Sequence, residues 1–298
     1  MTLLRLIIAV FIIGFLFSKI SYADDYNNYL KYFEKKCVNE PRNQILFLID
    51  NTDPLQPEQQ QFILDNFINE DSWSNEGDIV TIVAMGHHPV ALMPYVSVCA
   101  PKPERLIDDI VDPIRKIKQE NRGFLKFLEM AFINLSTAED EAEKTLLVEA
   151  VTEVYRNNRY KFKKNPVNRT LILVSDLYQH SDLLSFFRMC SPKNTKKTII
   201  EEETATARHS SKTQRTLIKK YGRLVCPSFE ETRNKSDRFN NYLVKAKPVL
   251  NDGDKINVYY LNVDGRVDRS GENWWIDYFN HSANGKNINI EIIPELQY

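Results

Sequence analysis

Glycine is scarce in this chain, with nine in 298 residues. Phosphate-cradling loops need glycines close together, because the backbone must approach the anion. Neither GxxxxGK[ST] nor GxGxxG occurs, which argues against nucleotide binding of those two types. There is no GxSxG elbow, so the mark of that class of hydrolase is missing too. No CxxC pair occurs, which speaks against zinc ribbons and thioredoxin-like redox motifs. An excess of one charge is also lacking, since the formal net charge is −1. Nucleic-acid-binding domains usually carry a strong basic excess, so no nucleic-acid partner is expected. After the first 23 residues no apolar stretch reaches the ~20 residues of a spanning helix.

The apolar content, 43% of residues, is enough for a real core and too high for a disordered chain. At the start, Arg5 precedes the apolar run Leu6 to Phe17, and Ser21-Tyr22-Ala23 ends in small residues suited to a signal peptidase. The expectation is a signal peptide over residues 1–23, cleaved after Ala23. The apolar run is short for an uncleaved anchor, the competing reading. The mature chain should then be exported, periplasmic or secreted, with no transmembrane span left. Export changes how Cys37, Cys99, Cys190 and Cys226 read, because an oxidising compartment permits disulfides. Four cysteines allow three pairings, and sequence alone does not choose among them. In one of the three, Cys190–Cys226 would tie off most of a basic stretch and leave Cys37 for Cys99.

Residues 24–43 read as a helical lead-in. Gln44 to Ile49 is a continuous apolar run ended by Asp50, the pattern of a central parallel strand buried on both faces. Pro57 to Asn69 reads as a helix, and Asp78 to Met85 as a second buried strand. Val90 to Cys99 suits an edge strand, because Pro94 cannot donate to a ladder. Glu104 to Leu135 reads as helix broken near Pro113 or Gly123. Further helices are expected at Thr145 to Asn157, Ser181 to Cys190 and Glu272 to Ala283. Strands are expected at Thr170 to Val174, Ile256 to Val263 and Ile288 to Ile293. Residues 191–247 stand apart, with fourteen Lys and Arg against six Asp and Glu. They read as a basic insertion, partly helical, within one domain spanning 44–298. Strands alternating with helices imply an α/β fold: a doubly wound, mostly parallel, Rossmann-like sheet with helices on both faces.

In such sheets ligands sit beyond the carboxyl ends of the strands. Asp50 ends the first apolar strand and Asp176 follows Val174 and Ser175. Two carboxylates from neighbouring strands would converge there, and two close negative charges call for a cation.

Three separated motifs sharpen this reading. Asp50-Asn51-Thr52-Asp53-Pro54 follows the first strand. Thr145-Leu146-Leu147-Val148-Glu149-Ala150-Val151 starts with a threonine, and Leu173-Val174-Ser175-Asp176-Leu177 carries the second aspartate. This set resembles the metal-ion-dependent adhesion site (MIDAS) of von Willebrand factor A domains. That family has Asp-x-Ser/Thr-x-Ser after its first strand, a threonine opening Thr-x-Leu-x-Glu-Ala-Leu/Val, and an aspartate after its fourth strand. The resemblance spans about residues 44–298. It implies that Asp50, Thr52, Thr145 and Asp176 hold Mg²⁺, or Ca²⁺ or Mn²⁺, through hard oxygen donors. An acidic group of a protein partner would complete the coordination. The implied protein is a binding module of adhesion or assembly type, not an enzyme, whose partner belongs to an envelope or secreted complex. One position departs: Pro54 stands where the family has its second serine. An alternative therefore stays open, in which a structural envelope component with a non-functional metal site binds partners through its basic insertion.

Other eye-catching residues have plainer readings. His87 and His88 are adjacent, so their side chains point apart and do not share an ion. His180-Ser181-Asp182 are too close in sequence for a triad, whose members meet through the fold. Ser181 is expected as a helix N-cap. Trp274, Trp275, Tyr278 and Phe279 are expected in a buried helix–sheet contact.

Overall fold

A computed structural model of the chain describes residues 26–37, 41–51, 55–69, 73–85, 95–107, 113–136, 144–160, 162, 168–192, 224–261 and 269–294. The signal-peptide expectation for residues 1–23 lies outside these residues.

Six strands form one sheet: β1 (Asn43–Asp50), β2 (Ile79–Met85), β3 (Tyr95–Cys99), β4 (Asn168–Ser175), β7 (Lys255–Tyr260) and β8 (Asn289–Pro294). Their order is β3-β2-β1-β4-β7-β8. All neighbours pair in parallel except β3, which runs antiparallel to β2 at one edge. Two short strands, β5 (Ser191–Pro192) and β6 (Leu224–Val225), make a separate antiparallel ribbon. With that ribbon set aside, the order is that of a doubly wound sheet whose direction of winding reverses between β1 and β4.

Helices cover both faces. The first, α1, spans 26–34. It is followed by α2 (Pro57–Phe67), α3 (Ile114–Ser136), α4 (Leu147–Arg156), α5 (Phe186–Met189), α6 (Phe229–Lys235), α7 (Asp237–Ala246) and α8 (Arg269–Ala283). β1 shows why its run is unbroken: successive side chains point to opposite faces. Ile45, Phe47 and Ile49 join the core made with Phe33, Ile63, Phe124 and Phe127 from α1, α2 and α3. Leu46 and Leu48 join the opposite core, made with Val151, Phe239, Trp274 and Trp275 from α4, α7 and α8. The four aromatics expected in a helix–sheet contact, Trp274, Trp275, Tyr278 and Phe279, are fully buried there.

Several boundaries differ from expectation for local reasons. Of the two expected break points in the stretch from Glu104, α3 starts just past Pro113 and runs through Gly123 without a break. A Cβ at Gly123 would lie 3.3 Å from a ring carbon of Tyr29, so this glycine makes room for α1. The expected helix from Ser181 to Cys190 shrinks to Phe186–Met189. Ser181 is not its N-cap: its Oγ accepts from the N–H groups of Leu183 and Leu184 and closes a turn. α4 begins at Leu147, which leaves Thr145 before the helix. Part of the basic stretch is packed: Phe229, Phe239 and Leu243 of α6 and α7 are buried in the core. Residues 193–223 lie outside the described residues.

Both disulfides are formed, Cys37–Cys99 and Cys190–Cys226. None of the described helices is long and apolar enough to cross a membrane.

Candidate functional site

The register sets the geometry. Ile49 of β1 pairs with Val174 of β4, so Asp50 and Ser175 end adjacent parallel strands at the point where the winding reverses. Ser175 Oγ donates to Asp50 Oδ2 at 2.8 Å and accepts from the N–H of Leu177 at 2.9 Å. Asp176 Oδ1 accepts from the N–H of Tyr178 at 2.9 Å, an aspartate closing its own turn. Asp50 is 3% exposed and Asp176 7%. Both carboxyl groups are therefore buried at the ends of adjacent strands, and each accepts a hydrogen bond from a neutral donor.

The chain turns sharply after Asp176. Leu177 has φ 59°, a left-handed conformation that costs a non-glycine residue ~1–2 kcal/mol. Its side chain is buried in the core, and its carbonyl accepts from Trp275 Nε1 at 2.9 Å. Packing thus enforces a strained residue directly after a candidate ligand, the kind of place where strain concentrates at functional sites.

Thr145 meets this turn through the backbone. The N–H of His180 donates to Thr145 O at 2.8 Å, and the two residues form an isolated antiparallel bridge. The connection that carries Thr145 is gripped further by Gln179, which is fully buried. Gln179 Oε1 accepts from the N–H of Val148 at 2.8 Å. Its Nε2 donates to Glu149 Oε2 at 3.0 Å and to Ser181 Oγ at 2.9 Å. Burial pushes the Glu149 carboxyl above its ordinary value, while bonds from Ser181 and Gln179 pull it back. On the other side, Asn51 Nδ2 donates to Leu135 O in the last turn of α3. His180 Nδ1 lies 2.8 Å from Ser185 Oγ.

Three of the four residues expected to hold a cation therefore lie in neighbouring segments at the carboxyl end of the sheet: Asp50, Asp176 and Thr145. The fourth, Thr52, lies outside the described residues, as do Asp53, Pro54, His87 and His88. Among the described residues, no group of three or more His, Cys, Asp and Glu gathers to hold a metal. A cation here would rest on two carboxylates and on hydroxyl oxygens. That donor set is all hard oxygen and suits Mg²⁺, Mn²⁺ or Ca²⁺.

Sequence reasoning missed Asn51, Ser175 and Gln179. Ser175 was within reach, as the last residue of a strand before an aspartate. Gln179 carries no local mark, because its partners on α4 lie about thirty residues away.

Comparison of the chain with protein-family models, with curated proteins and with solved structures gave no match.

Proposed function

We propose that the chain is an exported protein-binding module of von Willebrand factor A type, docking its partner at the carboxyl end of the sheet through a divalent cation. The observation that carries this reading is the placement of Asp50 at the end of β1 and of Asp176 just past the end of β4, adjacent strands between which the winding reverses. Doubly wound sheets bind ligands in that crevice. Asp50, Asp176 and Thr145, with Thr52 from the same motif, would hold the ion, which would offer a coordination position to an acidic group of the partner. Asp50 and Asp176 supply the charge, and Ser175 orients Asp50 by its hydroxyl. The chain has no catalytic step of its own in this reading. Two disulfides favour an oxidising compartment, in keeping with periplasmic or secreted placement.

A second reading has its own observation. Asp50 and Asp176 already accept hydrogen bonds from Ser175 and from the N–H of Tyr178. Buried carboxyl groups satisfied this way do not require an ion, so the site would be structural and partners would meet the basic stretch. Titration calorimetry with Mg²⁺, Mn²⁺ and Ca²⁺ separates the two. The first reading expects one binding event, lost in Asp50→Ala. No heat with any of the three cations rejects it and favours the second. Affinity capture from the native envelope, with wild type beside Asp50→Ala, then identifies the partner.

A further inference from the structure

We infer that Asn51 and Gln179 are positioning residues, two buried amide side chains that hold the α3–α4 connection carrying Thr145 against the strand ends carrying Asp50 and Asp176. This deepens the proposed function and rests on it. Each amide lies shortly after a candidate ligand: Asn51 comes next after Asp50, and Gln179 three residues after Asp176. Each reaches across the fold to a helix end that leaves backbone groups without intrahelical partners. Asn51 Nδ2 donates to Leu135 O, a carbonyl of the last turn of α3. Gln179 Oε1 accepts from the N–H of Val148 in the first turn of α4, and its Nε2 holds the Glu149 carboxyl. The two ends of the connection are thus fastened separately, one to each strand that supplies an aspartate. The His180–Thr145 backbone bond fixes the same connection a third time, next to Gln179.

The chemistry explains why amides stand here. A carboxylate at 51 has no proton to give a carbonyl, and a carboxylate at 179 meets Glu149 as a like charge. Either one also adds negative charge beside the aspartates and competes for the cation. An amide donates and accepts without charge. Asn51 keeps its bond although its Oδ1 is buried without a partner.

The test uses the mature chain and two readouts: Mn²⁺ affinity by calorimetry, and hydrogen exchange of the Val148 amide without metal. Gln179→Met keeps the length and removes every polar contact. It is expected to exchange Val148 several-fold faster and to bind Mn²⁺ ~10–100-fold more weakly, the usual effect of losing a group that orients a ligand. Gln179→Glu keeps an acceptor for Val148 but needs a proton to face Glu149, which Ser181 and Asp182 also neighbour. Its affinity, as a ratio to wild type at each pH, should recover on acidification and fall as pH rises. Taking the ratio removes the pH dependence that wild type and variant share. A folded Gln179→Met with wild-type Val148 exchange or wild-type Mn²⁺ affinity overturns the inference. If that variant does not fold, a pH-independent ratio for Gln179→Glu overturns it instead. A wild type that takes up no Mn²⁺ defeats the proposed function, and the clamp is then decided by Val148 exchange alone.

Discussion

The two ends of the sheet use the same residue type in different ways. At the amino end, Asp254 precedes β7 and meets the buried guanidinium of Arg169, whose Nε donates at 2.9 Å and whose Nη2 makes the second contact. Arg169 also donates to Val249 O and lies over the rings of Tyr155 and Phe162. Asp78, before β2, accepts from the backbone and side chain of Asn43 and from the N–H groups of Ser74 and Asn75. These carboxylates join strand starts to loops, and their charge is answered by a cation or by several donors. At the carboxyl end, Asp50 accepts from the Ser175 hydroxyl of the neighbouring strand, and Asp176 accepts from the N–H of Tyr178 in its own turn. The comparison teaches that burial alone does not separate the two sets of aspartates; the strand end does, and the proposed function rests on that.

The sharpest way to break this comparison is to remove a carboxylate from each end. Asp254→Ala removes the carboxylate that accepts twice from the buried Arg169 guanidinium, and breaking such a buried pair costs ~3–5 kcal/mol. For a domain of this size that is a fall in melting temperature of roughly 10 °C. Asp50→Ala removes the bond from the Ser175 hydroxyl and is expected to cost less, about 1–2 kcal/mol for that bond. Thermal melts of the two variants decide it. Equal losses would mean that the carboxyl-end aspartate is as structural as the amino-end one.

The disulfides extend the same contrast. Cys99 ends β3 opposite the start of β2, so Cys37–Cys99 staples α1 to the amino end. Cys190–Cys226 ties the chain leaving the carboxyl end of β4 to the approach to α6. Each is expected to contribute ~2–4 kcal/mol by restricting the unfolded chain. Sequence separations of 62 and 36 make the first the costlier loss, by about 0.5 kcal/mol. Paired Cys→Ser variants, melted side by side, measure the difference. A larger loss at Cys190–Cys226 would show that the carboxyl-end staple also supports native packing.

Much of the amino-to-carboxyl layout was legible in the sequence, because strands buried on both faces leave unbroken apolar runs. Gln44 to Ile49 and Thr170 to Val174 marked β1 and β4, and the residues that follow them marked the candidate site. Local reading failed where a distant contact decided the outcome. Pro113 and Gly123 both looked like helix breakers; α3 starts after the first, while the second sits mid-helix with Tyr29 close against it. Ser181 looked like a helix N-cap, yet its hydroxyl closes a turn before α5. In the basic stretch, Phe229, Phe239 and Leu243 were masked by surrounding charge, although they anchor α6 and α7 in the core. Gln179 was invisible for the same reason: its role exists only once β4 and α4 are side by side.

The smallest expected effect concerns Glu149. Burial raises its carboxyl above the ordinary 4.5, so folding favours the protonated form. The stability this contributes is complete below pH 4.5 and is lost as pH rises through the raised value. Glu149→Gln removes that titration while keeping an oxygen for Gln179 Nε2. The variant should therefore melt slightly above wild type at pH 7 to 8, with the advantage fading on acidification below pH 5. A variant less stable at every pH would mean that the ionised carboxylate is needed where it stands.

The claim that the carboxyl end is the functional end meets its most direct test in a melting series with and without millimolar Mg²⁺, Mn²⁺ or Ca²⁺, on wild type and Asp176→Ala. A cation that binds only the folded state at 100 times its dissociation constant adds ~2.7 kcal/mol. The account predicts a rise of several degrees in wild type, at ~2–4 °C per kcal/mol, and none in Asp176→Ala. Without metal, Asp176→Ala loses the bond from the N–H of Tyr178, so its melt is compared with and without cation and not with wild type alone. A wild type whose melting ignores all three cations would contradict the account.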